Sequence, residues 1–227
     1  MAFEIKRTPT GISGLDKLIL GGLPEPSVTL ITGSAGTAKT TFLLQFLWEG
    51  LKQKENGLFI TLEETPEEIK RDALQFGWDF GKYEKDGKCS IEFFDPFELG
   101  DIASRLKDLI VVNNYKRVVI DSTSLFGMYI NDTYKVRKKL YKLVQSLKTS
   151  GCTALLSSEI PEKSDTLSRF GVEEYVVDGV IILYYTGMEN GVCRSLAIRK
   201  LRLTNYANGT FPFRITDEGI KILKDDI

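Results

Sequence analysis

The stretch Val28-Thr29-Leu30-Ile31-Thr32-Gly33-Ser34-Ala35-Gly36-Thr37-Ala38-Lys39-Thr40-Thr41 decides the fold. Its opening residues are an apolar strand. Beyond Lys39, residues Phe42, Leu43, Phe46, Leu47 and Leu51 recur at helical spacing, predicting a helix to about Gln53. A glycine-containing loop between a strand and a helix N-terminus aims backbone N–H groups and the positive end of the helix dipole at an anion. Gly33, Ser34, Ala35, Gly36, Thr37 and Ala38 therefore read as a phosphate cradle leading into Thr40 and Thr41. In such a loop Lys39 reaches the β/γ-phosphates and the Thr40 hydroxyl ligates Mg²⁺. The strict pattern carries a second glycine where Ala38 stands. If the backbone there is left-handed, the methyl group costs about 1–2 kcal/mol. A site that binds nucleotide without hydrolysing it stays open on that ground.

Working outward, strands and helices alternate. Leu58–Leu62 is the next strand, and Thr65-Pro66 with Glu68 forms a capping box for a helix to about Phe76. Ser90–Asp95, Arg117–Asp121 and Thr153–Ser157 read as strands, separated by helices over Glu98–Asn113 and Asp132–Ser150. Alternation of this kind predicts right-handed crossovers and a mainly parallel sheet covered on both faces. From Asp178 onward the strands Asp178–Tyr185, Arg194–Leu201 and Pro212–Ile215 follow without helices. The first two are joined by a hairpin turn at Gly187–Gly191. The expectation is one α/β domain over residues 1–227, with an antiparallel C-terminal extension.

Composition narrows the chemistry. The sequence has 227 residues with 42% hydrophobic and 27% charged, an ordinary globular balance. Its apolar runs fall far short of the roughly 20 residues that span a bilayer, and the N-terminus lacks the apolar segment of a secretion signal. No membrane association and a cytoplasmic location are expected. Histidine is absent, which removes imidazole bases and imidazole metal sites. Cys89, Cys152 and Cys193 are too scattered for a zinc site or a disulfide framework, and read as buried thiols. A net charge of −1 does not indicate a dedicated nucleic-acid binder, although it is silent about local basic surfaces.

Carboxylates must then do the work. Val118-Val119-Ile120-Asp121-Ser122 delivers an acid to the end of an apolar strand, the edge where open α/β sheets bind ligands. Asp121 is either a cap or, beside the phosphate loop, a holder of the Mg²⁺ shell with Ser122 hydrogen-bonding nearby. Glu63-Glu64 follows another strand directly. Such acids are either solvated or able to polarise an attacking water.

The ordered set of stretches resembles the KaiC/RadA branch of the RecA-like ATPases, in particular archaeal single-domain KaiC-like proteins. The set runs from Thr10–Leu18 and Gly21–Pro24 through Gly33–Thr41, Thr61–Glu64 and Val119–Ser122. It continues with Ser157–Glu159, Val172–Val180, Arg199–Arg202 and Pro212-Phe213. The resemblance implies a RecA-like fold and ATP with Mg²⁺. It further implies a homo-oligomeric ring, such as a hexamer, or a filament, with ATP sites between subunits. On it, Glu63 and Glu64 are the water-activating pair, Ser158 lies near the γ-phosphate, and Lys200 and Arg202 act in trans on a neighbour's γ-phosphate. Leu203 stands where the family has glycine, and Tyr206 where a histidine often follows. No second KaiC-like domain is present, so clock timing is not implied. Three other outputs remain open: a single-strand-binding recombination accessory like RadA paralogues, a nucleotide-gated scaffold, and a self-kinase. The first would use loops at Phe126–Asn131 and Pro161–Phe170, where Glu162 and Asp165 offset Lys163 and Arg169.

Overall fold

The computed structural model describes residues 4–95, 101–128, 130, 132–162, 164–185 and 194–223. In chain order the strands are β1 (Arg7–Thr8), β2 (Leu23–Pro24), β3 (Val28–Gly33), β4 (Asn56–Thr61), β5 (Cys89–Phe93), β6 (Tyr115–Asp121), β7 (Thr153–Glu159), β8 (Gly179–Tyr185), β9 (Arg194–Leu201), β10 (Thr210–Thr216) and β11 (Gly219–Ile222). The helices are α1 (Leu15–Leu18), α2 (Lys39–Lys52), α3 (Pro66–Leu74), α4 (Phe80–Lys85), α5 (Ile102–Asn113), α6 (Leu125–Met128), α7 (Thr133–Thr149) and α8 (Glu173–Val176).

A nine-stranded sheet runs in the order β11-β10-β9-β8-β3-β7-β6-β4-β5. Its members from β5 to β8 pair in parallel, while β8, β9, β10 and β11 pair antiparallel. The mixed architecture is the one expected. β1 and β2 form a separate two-stranded ribbon.

Because every central strand is covered on both faces, its residues are apolar on both. Ile31, Phe59, Val119 and Leu155 pack under Phe42, Phe46 and Leu47 of α2. Leu30, Ile60, Ile120 and Leu156 pack under α5 and α7. The capping box on α3 is formed as expected: Thr65 Oγ1 accepts from Glu68 N–H, and Glu68 Oε2 accepts from Thr65 N–H at 2.9 Å. Asp101 caps α5, its carboxylate accepting from Ser104 N–H. The expected start at Glu98 lies outside the described residues, as do the hairpin turn Gly187–Gly191, Lys163 and Cys193. Cys89 and Cys152 are buried, and burial pushes both thiols up, Cys152 to about 12.

Two buried polar side chains lock the layers. Arg117, fully buried on β6, donates to Glu55 Oε2 at 2.6 Å and to the carbonyls of Pro9 and Phe46 at 2.7 and 2.9 Å. It fits only because Gly50 on α2 has no side chain: a Cβ there would stand 2.4 Å from the arginine stem. Gln45, at the middle of α2, donates to Gly11 O at 2.9 Å and accepts from Ile220 N–H at 2.7 Å, holding both flanks of the chain to one helix. Asp16 in the Thr10–Leu18 stretch accepts from Thr10 N–H and Oγ1 at 2.9 and 2.7 Å, so that stretch is a structural corner.

Candidate nucleotide site

β3 lies between β7 and β8, so the loop that leaves it at Gly33 opens in the middle of the parallel sheet, at its C-terminal edge. Gly33 is required by close approach, since a Cβ would come within 2.5 Å of Leu183 O. Gly36 and Ala38 both adopt left-handed backbone, with φ of 72° and 76°. Ala38 thus occupies the conformation that a glycine would take at no steric cost, and its methyl costs about 1–2 kcal/mol. Thr37 Oγ1 donates to Ser34 O at 2.8 Å and tightens the turn. Lys39 folds over the loop, its Nζ donating to Gly33 O and Ser34 O at 3.0 Å each. Burial lowers the Lys39 pKa, opposed by the charges of Glu159, Asp121 and Glu63.

Sheet parity decides which strand ends meet the loop. Asp121 follows Ile120, which faces α7, and so points to the α2 side with Val119. Asp121 Oδ2 accepts from Thr40 Oγ1 at 2.8 Å, and Oδ1 accepts from Ser157 Oγ. Ser122 Oγ donates to Glu63 Oε1 at 2.8 Å. Asp121, Glu63, Glu159 and Lys39 therefore share one electrostatic neighbourhood. The Asp121 pKa is raised by burial despite hydrogen bonds from Ser157 and Thr40. Those of Glu63 and Glu64 are raised by partial desolvation, with Asp121 adding to both.

Ser158 does not join this group. One residue further along β7, its side chain falls on the opposite face, fully buried, donating to Glu173 Oε1 at 3.1 Å and accepting from Arg169 N–H at 3.2 Å. The serine facing the loop is Ser157. A one-residue shift along a strand exchanges faces.

Lys200 and Arg202 are also not at the loop of their own chain. Leu201 pairs with Gly179, which pairs with Thr29 near the start of β3. At 3.3 Å per residue, the span from Thr29 to Gly33 puts about 13 Å of strand between them and the cradle. Lys200 Nζ donates to the carbonyls of Glu174 and Val177 at 3.0 and 2.6 Å, and burial lowers its pKa. Arg202 donates to Asp178 Oδ1 at 3.3 Å. Leu203 has a left-handed φ of 57°, and the Tyr206 hydroxyl donates to Arg199 O at 3.1 Å.

No local pattern singles out Arg194, whose Nε donates to Gly36 O at 3.0 Å and whose guanidinium lies over the Tyr185 ring at 5.3 Å. A cavity of 530 Å³ opens beside Ser34 and Ala35, bounded by Pro161, Leu167, Tyr184 and Tyr185. That is within the range of small-molecule sites. Among the described residues no helix is long and apolar enough to cross a membrane.

The family model described as the KaiC ATPase matches residues 8–227. The chain is 36% identical over 231 residues to the circadian clock protein KaiC3 of Synechocystis sp., covering 96% of this chain and 46% of that protein. It spans about half the length of the clock relatives it matches. A UPF0273 protein of Methanopyrus kandleri is 34% identical over 235 residues, with 96% of this chain and 92% of that protein covered. The crystal structure of a KaiC-like protein from the archaeon Pyrococcus horikoshii OT3 superposes with a TM-score of 0.87 at 38% identity, covering 97% of this chain and 100% of the other. With a phosphate loop, a strand-end aspartate on its first helical threonine and a match along nearly its whole length, the chain belongs to the KaiC family of ATPases, whose members bind ATP as a general property.

Proposed function

We propose that the chain, acting as one domain, binds Mg·ATP at Gly33–Thr41 and hydrolyses it, with assembly into a homo-oligomer completing the site. The observation that carries this reading is the pair of contacts at one sheet edge: Thr40 Oγ1 to Asp121 Oδ2 and Ser122 Oγ to Glu63 Oε1, each 2.8 Å. The first brings a hydroxyl and a carboxylate, both hard oxygen donors, to the mouth of the cradle. No group of three or more His, Cys, Asp or Glu side chains so arranged that they alone could hold a metal ion stands among the described residues. That suits Mg²⁺, which keeps several waters and takes phosphate oxygens rather than an all-protein cage. Thr40 would hold it directly and Asp121 through water, and bound there it would offset charge on the β- and γ-oxygens.

The rest is done by the chain. The Lys39 ammonium leaves the Gly33 and Ser34 carbonyls for the phosphate oxygens. Glu63, oriented by Ser122, accepts a proton from water as its oxygen bonds to the γ-phosphorus. The bond to the bridging oxygen breaks, and ADP departs with that electron pair. Glu64 adds negative charge that keeps the Glu63 carboxylate basic. On this reading Lys200 and Arg202, distant from the cradle of their own chain, give up their contacts to Glu174, Val177 and Asp178 to serve a neighbouring subunit's γ-phosphate. Steady-state phosphate release tests this. Glu63→Gln is expected to lower kcat by about 10²–10⁴-fold while nucleotide binding persists; undiminished turnover in Glu63→Gln, Glu64→Gln and Lys39→Ala alike removes the hydrolase reading. Light scattering with ATP checks the assembly, and a monomer under all conditions contradicts roles for Lys200 and Arg202.

A further inference from the structure

The charge of this molecule is unevenly spread. α7 carries Lys135, Arg137, Lys138, Lys139, Lys142 and Lys148 and no acid. Removing these six from the chain's 30 Lys and Arg leaves 24 against 31 Asp and Glu, so a near-neutral protein is a helix of +6 set on a body of −7. Only the two ends of that series form ion pairs among the described residues: Lys135 with Asp132 at 3.7 Å and Lys148 with Asp178 at 2.8 Å. Arg137, Lys138, Lys139 and Lys142, in the middle, meet no carboxylate of the described residues at ion-pair distance.

The same face displays aromatic rings. Tyr134, Tyr141 and nearby Tyr175 are 71%, 54% and 63% exposed, and the Arg137 guanidinium lies 5.6 Å from the Tyr175 ring centre. Residues 134, 138, 141 and 142 fall on one side of a helix, and two turns separate the first tyrosine from the second by about 10 Å. Grooves of 440 and 370 Å³ flank the helix. Lys135, Lys138, Lys139 and Lys142 line the first; Tyr134, Arg137, Tyr141 and Tyr175 line the second, and Lys138 lines both.

We propose that the outer face of α7 binds single-stranded nucleic acid, its lysines meeting the phosphates and Tyr134 and Tyr141 stacking on bases. Cationic grooves interleaved with exposed rings are the means by which unpaired strands are held without sequence preference. An anionic membrane fits less well. Val136, Leu140, Leu143, Val144 and Leu147 are all buried in the core, so the helix has no apolar face to insert. An acidic protein would use the lysines but leave the rings unexplained. Neither groove is lined by the phosphate loop or by the described residues of the Phe126–Asn131 and Pro161–Phe170 segments, although Lys139 lies 5.7 Å from the Phe126 ring and Arg202 shares the second groove; the test reads strand binding and not ATP hydrolysis.

Anisotropy of a fluorescein-labelled oligothymidylate, titrated with the full chain across a salt series, reads both halves of the interaction. Lys138→Glu with Lys142→Glu should weaken binding at least about tenfold and flatten the log–log salt slope by about 0.7 for each phosphate left without its lysine. Tyr134→Ala with Tyr141→Ala should weaken binding at least about fivefold and leave the slope unchanged. Both variants should retain wild-type binding of a fluorescent ATP analogue, which reports folding. Ultraviolet crosslinking of the wild-type complex needs no variant and should join thymidine to α7 peptides. The proposal is overturned if the wild type shows no retention at low salt, or if the crosslinks map to either of those two segments. It also fails if the tyrosine variant binds as wild type, or if phosphatidylserine vesicles are bound and the oligonucleotide is not.

Discussion

Asp121 and Asp178 are both aspartates at strand boundaries of the same sheet, and they live in opposite company. Asp121 stands at the C-terminal edge among Glu63, Glu159 and two hydroxyl donors, with Lys39 turned toward the loop carbonyls. Asp178, only 6% exposed, stands at the other edge and is fully engaged: it accepts from Val28 N–H at 3.1 Å, Lys148 Nζ at 2.8 Å and Arg202 at 3.3 Å. The first has charge in excess of its partners, the second has partners in excess of its charge. Surplus negative charge beside a phosphate cradle is unfavourable until a cation arrives, so that edge trades stability for binding. The other edge is a clasp.

Removing the clasp should have the larger effect on stability. Asp178→Ala leaves a buried N–H and two cations without their acceptor; a loss of about 3 kcal/mol is expected. In a chain of this size that lowers Tm by about 6–12 °C in a thermal melt; an unchanged Tm breaks the contrast. Asp121→Asn should do the reverse in the absence of nucleotide and raise Tm, while lowering Mg²⁺-dependent turnover by about 10–100-fold. Acidity sharpens the point. A carboxylate whose folded-state pKa is raised costs stability above that pKa, and the cost disappears as pH falls through it. The Tm advantage of Asp121→Asn should therefore shrink as the buffer is taken from neutral down through the raised pKa of Asp121, and a gap that widened on acidification would contradict the assignment. The smallest effect belongs to Ala38→Gly, which relieves a left-handed alanine by about 1 kcal/mol, less the extra chain entropy of glycine. Calorimetry should find Tm slightly raised or level, and a marked fall would show that the methyl packs usefully.

Much of the sheet was legible because each element announces itself locally. The capping box at Thr65, the apolar stripe of α2 and the acid ending β6 are properties of a few neighbouring residues. What escaped depends on parity, distance or the folded exterior. Leu155-Leu156-Ser157-Ser158 is apolar then polar on both faces, so nothing in the run says which serine looks at the loop; the resemblance selected Ser158 and the register selects Ser157. Arg117 looks like an ordinary surface cation beside Lys116. Only the absent side chain of Gly50, 67 residues earlier, admits it to the core. α4 and β11 are too short to show a period. On α7 the buried stripe was visible at once, whereas the cationic face needed the exposure of its tyrosines to acquire a meaning.

Gln45 bears on how the protein is made. Its amide joins the helix that opens the phosphate cradle to Ile220, 175 positions downstream. On a ribosome adding about 5–20 residues per second, that partner emerges on the order of ten to thirty seconds after the helix itself. During that interval the cradle's supporting helix lacks its clamp, and β9, β10 and β11 are not yet present to cover its flank. Such distant closures slow folding. The nascent chain therefore lacks the clamp on the helix behind its phosphate loop for most of its synthesis, and a nucleotide that favours the seated form would act on this protein as a folding ligand.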